Sequence, residues 1–352
     1  MPEIDRTRWV WALVVLAAAE RAATSVRWSP APRRLVLRPT VAYRAGLALD
    51  SLPPAVRRPA RRVADPSRTT RLPVTADGVQ VGKFDVDHVV RLRSFYAGPG
   101  LTMRLQSRAG QLNGVARSVT AARLVARHSP GLAPELVEHG TVGLRKVAYL
   151  VERTVQGTSP SRGRPMLELI PAAIAQLHRL HHGVGITHER LSALVHAELP
   201  QRWQALVETG MVSAAVDAAV RALVARDALL EVSIGHGDLV GSNILRSGSG
   251  VMLIDWEYAG RQPIAFDLAK LHLAAGPAGP ALDRLREGLG DDVGVAADHY
   301  SLPEQLALAH VQILSWQASR YARAAQAGRL PALERQTRLR LTAIEELLDL
   351  GG

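Results

Sequence analysis

The chain has 352 residues, a formal net charge of +11 and no cysteine, and aromatic residues make up only 4% of it. A chain of this length usually exceeds one hydrophobic core, so two lobes or domains are predicted. The lack of cysteine excludes disulfides, thiolate metal sites and a cysteine nucleophile and is typical of a reducing compartment, while the few aromatic residues argue against a specific nucleic-acid partner.

Residues 1–68 form a predicted basic extension rich in proline and arginine. Residues 1–71 contain 14 arginines and five acidic residues, a net charge of +9. The apolar run Trp9–Ala19 is too short to cross a bilayer, which takes a helix of about 20 residues. We therefore predict an apolar helix that packs on the body of the protein or lies at a membrane interface. Two interpretations of the extension stay open: contact with an anionic surface, such as membrane headgroups or nucleic acid, and a solvated, partly disordered arm.

Residues 69–157 are predicted to form a small lobe of strands around one helix. Short apolar and β-branched runs indicate the strands, and Gly98-Pro99-Gly100 joins two of them as a hairpin. One segment has apolar residues at helical spacing and follows an N-cap residue, Asn113. The predicted strands are Val79–Phe84, His88–Tyr96, Leu101–Gln106 and Leu144–Thr154, and the predicted helix is Asn113–Ala126.

Residues 158–352 are predicted to form a larger, mainly helical lobe. Leu167, Ile170, Ile174 and Leu177 recur at helical spacing along one face. The same periodicity predicts helices over His188–Leu206, Val212–Leu229, Glu304–Ala325 and Leu330–Leu350. The helical pattern is interrupted in the stretch Ile234–Leu271.

A β-hairpin is predicted inside that stretch. Two short apolar runs, Ile244-Leu245 and Val251–Ile254, flank Ser247–Gly250. Small residues in this position permit the positive φ angles of a tight turn. The hairpin should therefore bring the residues before its first strand close to those after its second.

Those neighbouring residues are polar. His236, Asp238 and Asn243 precede the hairpin and Asp255 follows it. Mg²⁺ that bridges nucleotide phosphates is usually held by one or two carboxylates and other oxygen ligands, which Asn243 and Asp255 could supply. Asp238, five residues before the amide, is placed to accept the proton of an incoming hydroxyl group. This rim of the hairpin is the candidate site.

The order and spacing of these residues resemble a known family. His236-Gly237-Asp238, Asn243, Ile254–Glu257 and Phe266–Ala269 together are similar to the signature of the aminoglycoside phosphotransferase and choline kinase family. The resemblance implies an α+β, two-lobed, protein-kinase-like fold with a small β-rich lobe and a mainly helical lobe, here preceded by the basic extension. The implied domains are residues 1–68, 69–157 and 158–352.

The resemblance also implies a role for each residue. Asp238 would be the catalytic base, Asn243 and Asp255 would hold Mg²⁺, His236 would buttress the catalytic loop, and Asp267 would tie that loop down from below. Each residue taken singly also has a structural explanation. His236 could be a core histidine, Asp267 could be a helix N-cap, and Asp238 and Asn243 could form a turn.

The small lobe departs from the family pattern. The family's phosphate-gripping strand lysine is absent, and Arg104 stands at the best matching strand position. The predicted helix contains no Asp or Glu to pair with it, and no glycine-rich loop is clear. The segment Val151–Gly157 would be the hinge, with Glu152 and Thr154 as positions that contact the nucleotide base.

An acidic stretch follows Lys270. In relatives, the segments after the metal-binding aspartate line the acceptor pocket, so acidic residues there would favour a cationic acceptor such as an amino sugar or amino alcohol. A solvated loop is the alternative, and we favour it because charged loop residues are normally exposed. The residues are Asp283, Glu287, Asp291, Asp292 and Asp298.

These observations lead to one predicted function and one alternative. We expect a small-molecule kinase that moves the γ-phosphoryl group of ATP or GTP to a hydroxyl acceptor with Mg²⁺. Amino sugars, sugars and amino alcohols all remain as acceptors. The alternative is a pseudokinase that acts as a binding or scaffold protein. A cytoplasmic location is expected, either free or peripheral at the inner face of the membrane through residues 1–68.

Overall fold

The computed structural model describes residues 27–28, 35–36, 78–81, 91–96, 100–106, 114–142, 147–159, 164–194, 198–248, 250–275, 278–289, 298–318, 321 and 330–349. The chain divides into two compact units. The smaller comprises residues 1–123 and 134–155, and the larger comprises residues 124–133 and 156–352. None of the helices in the described ranges combines the length and the apolar character that crossing a membrane requires.

Little of the basic extension falls within the described residues. There, β1 (Arg27–Trp28) pairs antiparallel with β2 (Leu35–Val36). The predicted apolar helix at Trp9–Ala19 lies outside the described residues. The membrane contact of residues 1–68 therefore stays a prediction.

The smaller unit contains a five-stranded antiparallel sheet. Its strand order is β3-β4-β5-β7-β6, so β5 and β7 are neighbours in the middle of the sheet. One helix, α1, connects β5 to β6. The bounds are β3 Gly78–Val81, β4 Arg91–Tyr96, β5 Leu101–Gln106, α1 Gly114–His128, β6 Leu136–Val142 and β7 Val147–Arg153.

The apolar face of α1 forms the core of this unit. Val115 and Val119, one helical turn apart, are buried against Ala148 and Leu150 of β7, with Leu136 packed beside them. Alternate residues of a strand share a face, so Glu152 continues the face of Ala148 and Leu150. The β7 strand therefore presents its polar end on the side of the sheet that packs against α1.

Sequence periodicity predicted most of this unit. The strand at Leu101–Gln106 is confirmed residue for residue, and α1 was predicted with a two-residue error at its end. The strand β6 was not predicted, because Glu138, His139 and Gly140 interrupt its apolar pattern. It forms because it pairs with β7 from Leu136 to Val142, with one irregularity between Leu136 and Glu138.

The larger unit is mainly helical. Its helices are α2 Arg164–Leu167, α3 Ile170–Val184, α4 Leu191–Leu194, α5 Leu199–Val207, α6 Ala214–Arg226, α7 Ile264–Ala275, α8 Ala278–Leu289, α9 Leu302–Ala318 and α10 Leu330–Leu347. Its strands are β8 Thr187–Arg190, β9 Leu229–Gly235, β10 Ile244–Ser247, β11 Gly250–Leu253 and β12 Gly260–Pro263.

Within the described residues, the strands of the larger unit form two small antiparallel sheets. β9 lies between β12 and β8, and β10 pairs with β11 as the predicted hairpin. The prediction of one helix over His188–Leu206 is wrong. Its first residues pair with β9 instead, and a separate helix, α5, begins at Leu199. Pro200 suits the first turn of α5, because the N–H that proline lacks has no partner there.

Helix α9 lies at the centre of the larger unit. It contacts α5, α6, α7 and α10. The consecutive residues Leu306–Val311, which cover more than one helical turn, are all buried, and Leu314 one turn later is fully inaccessible to solvent. A helix that is buried all round is a core element, so its side chains should contribute strongly to stability.

Truncation of Leu314 should therefore destabilise the protein. We expect Leu314→Ala to lower the free energy of unfolding by about 2–5 kcal/mol, because it removes buried methyl groups and leaves a cavity. The matched control is Leu339→Ala, the same change in α10 at a side chain that is 57% exposed, and it should change stability by less than about 0.5 kcal/mol. Urea unfolding measures both, and equal losses would show that α9 is not the core element.

Candidate active site

The site begins where the buried strand β9 ends. Gly237 follows at a φ of +80°, and a Cβ atom there would lie 2.2 Å from the backbone oxygen of Tyr258. Both the positive φ and this close backbone approach require glycine. The chain is thereby held in a sharp turn between His236 and Asp238.

The carboxylate of Asp267 holds this turn from inside the protein. Asp267 lies in the first turn of α7 and is only 3% exposed. Its Oδ2 accepts the backbone N–H of His236 at 2.5 Å, and its Oδ1 accepts that of Gly237 at 3.0 Å. Gln262 adds a third donor to Oδ2 at 3.2 Å. Burial raises the pKa of the Asp267 carboxyl, and His236, Lys270 and the N–H donors oppose that shift.

His236 connects the turn to the end of the hairpin. Its ring is fully buried, 4.7 Å from the ring of Trp256. Nε2 lies 2.8 Å from the backbone oxygen of Ile254, and the backbone N–H of Asp238 points to Nδ1 at 3.3 Å. Nε2 therefore carries the proton and Nδ1 accepts. Burial lowers the pKa of His236, which agrees with a neutral ring in this position.

The hairpin brings Asn243 and Asp255 to the same rim. Ile244 pairs with Leu253, and the backbone N–H of Ile254 donates to the oxygen of Asn243 at 2.9 Å. Asn243 is buried, and its Nδ2 donates to the backbone oxygen of Asp238 at 2.8 Å. Hydrogen bonds to backbone oxygen atoms thus connect Asn243 to Asp238 and to Ile254, the residue before Asp255. The predicted base and the two predicted metal ligands therefore lie close together in the larger unit.

Asp255 adopts an unusual backbone conformation. Its φ is +70° and its ψ is +49°, the left-handed region that residues other than glycine rarely occupy. Strain of this kind is common at binding and catalytic sites. The next residues form a single 3₁₀ turn, Trp256–Tyr258, so the strained residue lies between the hairpin and this turn.

The oxygen atoms at this rim fit Mg²⁺. Asp255 supplies a carboxylate. The amide nitrogen of Asn243 donates to the loop, and its amide oxygen is the atom that could bind the metal. Both are hard oxygen donors, and two protein ligands suffice where substrate phosphates and water complete the shell. The chemistry of the donor set is therefore compatible with the predicted ion.

Lys270 is a residue of the site that the sequence analysis missed. It lies one helical turn after Asp267 in α7. Its Nζ is 2.5 Å from the backbone oxygen of Gly237 and 3.2 Å from Oδ1 of Asp238, and its side chain is 12% exposed. The rarity of lysine in this chain could have drawn attention to Lys270, because lysine occurs only at positions 83, 146 and 270 among 43 basic residues.

The predicted nucleotide-binding residues lie in the smaller unit. Arg104 of β5 forms an ion pair with Glu152 of β7: Nη2 is 2.6 Å and Nε 3.1 Å from Oε1. Both side chains are largely buried, at 11% and 14% exposure. The helix α1 contains no Asp or Glu, and the acid that pairs with Arg104 comes from the neighbouring strand.

The segment predicted as a hinge, Val151–Gly157, begins as strand, within the strand predicted over Leu144–Thr154. The strand β7 extends to Arg153, and Glu152 pairs with Thr102 on one side and with Leu136 on the other. The backbone N–H of Thr154 donates to the oxygen of Gly100 at 2.9 Å, and the Thr154 hydroxyl meets that of Thr102 at 2.9 Å. The predicted base contacts of these two positions stay a proposal.

The chain is similar to known proteins in both sequence and structure. The sequence model described as "Phosphotransferase enzyme family" matches residues 97–300, more than half of the chain. No curated protein matches the sequence. The chain is similar to the solved structure of a microcompartment-associated aminopropanol kinase, with a TM-score of 0.54 and 15% identity, over 79% of this chain and 94% of that one. This likeness confirms the predicted α+β, protein-kinase-like fold.

Two further solved structures resemble the chain. A complex of APH(2″)-IIia with GDP and kanamycin gives a TM-score of 0.49 at 12% identity, over 80% of this chain and 96% of that one. The choline kinase LicA from Streptococcus pneumoniae gives 0.48 at 16% identity, over 76% of this chain and 94% of that one.

The geometry of the turn generates a prediction about Gly237. Gly248, in the hairpin turn, also has a positive φ, +57°, but no atom lies within 4 Å of a Cβ added there. We expect Gly248→Ala to lower the free energy of unfolding by about 1–2 kcal/mol, the cost of the left-handed conformation. Gly237→Ala should lower it by clearly more, because the backbone at Tyr258 must also move. Urea unfolding of both variants tests this, and equal losses would contradict the close approach.

Proposed function

The chain belongs to the phosphotransferase enzyme family, and we propose that it moves the γ-phosphoryl group of ATP or GTP to a hydroxyl group of a small molecule with Mg²⁺ bound. The observation that carries this proposal is the joining of Asp238, Asn243 and Asp255 at one rim of the larger unit. The buried groups of His236 and Asp267 support that rim. A scaffold protein would have no evident need of this arrangement.

Asp238 acts as the base in the proposed reaction. Its side chain is 41% exposed, whereas the residues that hold its loop are buried. The acceptor oxygen forms a bond to the γ-phosphorus, the bond from that phosphorus to the bridging oxygen of the nucleotide breaks, and the hydroxyl proton passes to the Asp238 carboxylate. His236 and Asp267 touch neither reactant and act as positioning residues for the loop.

Asn243 and Asp255 hold the metal in this proposal. When bound, Mg²⁺ neutralises charge on the phosphate oxygens and fixes their orientation. The chain's part is to keep the amide and the carboxylate at a fixed separation before the nucleotide arrives. The hairpin register and the strained Asp255 supply that preorganisation, which lowers the cost of ordering the site during the reaction.

Arg104 is the proposed phosphate-binding residue of the smaller unit. Arginine is always charged and can contact phosphate with two N–H groups. Glu152 holds one edge of the guanidinium through Nε and Nη2 and so orients it. Glu152 and Thr154 also remain the proposed positions nearest the nucleotide base.

The acceptor belongs to the amino sugars, sugars or amino alcohols. Kanamycin, choline and aminopropanol appear among the names of similar proteins. The acidic stretch after Lys270 does not narrow this set. Asp283 and Glu287 are exposed and pair with arginines of their own helix, Arg286 and Arg284, which agrees with a solvated surface. An acceptor screen with MgATP and MgGTP, scored by nucleotide consumption, tests the proposal directly.

The two carboxylates of the rim should respond differently to substitution. Asp238→Ala should lower kcat by about 100- to 10,000-fold, the usual contribution of a general base, and leave binding of the Mg²⁺–nucleotide nearly intact. Asp255→Ala should lose both. Calorimetry and steady-state kinetics measure the two effects, with Asp283→Ala as an exposed control. Equal nucleotide affinity for wild type and Asp255→Ala would remove the proposed metal role of Asp255.

The Arg104–Glu152 pair yields a separate prediction. Arg104→Ala should raise the nucleotide KM and lower kcat/KM by about 10-fold or more, the scale of a charge-assisted contact of ~1.5–3 kcal/mol. Arg104→Lys should retain part of the activity. The control is Arg153→Ala, which removes an arginine of β7 whose ion pair with Glu135 is exposed, and it should behave as wild type.

Two outcomes would contradict this assignment. If Arg104→Ala behaves as wild type while Lys83→Ala or Arg91→Ala is impaired, another basic residue binds the phosphates. If the wild-type protein binds neither nucleotide at millimolar concentration with Mg²⁺, the pseudokinase alternative holds instead.

A further inference from the structure

Lys270 makes two contacts with the loop that carries Asp238. Its Nζ donates to the backbone oxygen of Gly237 at 2.5 Å and to Oδ1 of Asp238 at 3.2 Å. The ammonium also lies 4.8 Å from the centre of the Phe266 ring. With the side chain only 12% exposed, this cation has left most of its water shell, and these oxygen atoms replace it.

An ammonium with so little exposure to water needs a physical explanation. Removing a charge from water is costly unless polar partners compensate. The chain uses arginine for 40 of its 43 basic residues, yet has lysine here. A compact ammonium can donate to two oxygen atoms around one point, whereas the planar guanidinium is larger and spreads its donors over a fork.

The position of Lys270 relative to Asp267 completes the argument. Residues three apart on a helix lie on the same face. Asp267 accepts the N–H groups of His236 and Gly237, and Lys270 donates to the carbonyl of Gly237 and to the carboxylate of Asp238. Two residues of one turn of α7 therefore hold the loop. Asp267 accepts hydrogen bonds from the N–H groups of the loop, and Lys270 donates hydrogen bonds to its oxygen atoms.

We propose that Lys270 is a positioning residue for Asp238, which holds Oδ1 so that Oδ2 is the oxygen that receives the acceptor's proton. This inference rests on the proposed function, in which Asp238 is the base. No bond to Lys270 is made or broken in the reaction. Its ammonium restricts the rotation of the carboxylate and fixes the carbonyl of the preceding residue.

The test compares Lys270→Met, Lys270→Arg and a control, Arg284→Met, which removes an exposed cation of α8. With an acceptor found in the screen, Lys270→Met should lower kcat by about 10- to 100-fold, the effect of losing a charge-assisted contact, with the nucleotide KM unchanged. Lys270→Arg should recover part of the loss. Arg284→Met should match wild type.

A double variant separates action through Asp238 from a general structural effect. If Lys270 works by positioning Asp238, adding Lys270→Met to Asp238→Ala should lower the residual single-turnover rate by less than about 3-fold. A further loss as large as that in the wild-type background would overturn the proposal. An unchanged kcat in Lys270→Met, or a raised nucleotide KM with unchanged kcat, would also overturn it.

One measurement does not depend on turnover. Amide hydrogen exchange of the segment 234–246 should be faster in Lys270→Met than in wild type, with other segments and the control variant unchanged. If the wild type phosphorylates no acceptor in the screen, the proposed function fails, and hydrogen exchange still decides whether Lys270 holds the loop. Unchanged exchange in that segment would overturn the proposal on its own.

Discussion

The candidate site depends on one buried carboxylate, that of Asp267. A charge in this environment is tolerated only with hydrogen-bond donors around it, and the donors here are backbone N–H groups of the loop that carries Asp238. The need to satisfy Asp267 therefore fixes the shape of that loop. The turn can close only because residue 237 is glycine, since a side chain would meet the backbone at Tyr258. The conformation of the loop and the burial of the Asp267 carboxylate therefore depend on each other.

The hairpin extends this constraint to the remaining residues of the rim. His236 is part of the held turn, and its Nε2 donates to the oxygen of Ile254, the residue before Asp255. Asn243 contacts the same loop through its side chain and the hairpin through its backbone. A displacement of the turn at Gly237 would therefore also displace the start of β10 and the end of β11. Such coupling keeps a catalytic arrangement in place before substrates bind, which is the condition for electrostatic preorganisation.

In the smaller unit, the sheet orients the proposed phosphate-binding residue. Arg104, the proposed phosphate-binding residue, has its acidic partner, Glu152, on β7, while α1 contributes apolar residues to the core. Because β5 and β7 are hydrogen-bonded neighbours, Arg104 and Glu152 are held at a nearly fixed separation by the sheet. The orientation of Arg104 is therefore set by strand pairing.

The sequence by itself determined the hairpin, the order of its polar residues and the helices α1, α3, α6, α9 and α10, because turn chemistry and apolar periodicity act over a few neighbouring residues. The strand at Leu101–Gln106 and the rim of Asp238, Asn243 and Asp255 follow from such local signals. Only the tertiary structure decided that Thr187–Arg190 pairs as a strand with β9, that Glu152 binds Arg104, and that Lys270 binds Asp238. The last two contacts join residues 48 and 32 positions apart, and no local pattern specifies which charged side chains meet once the chain has folded.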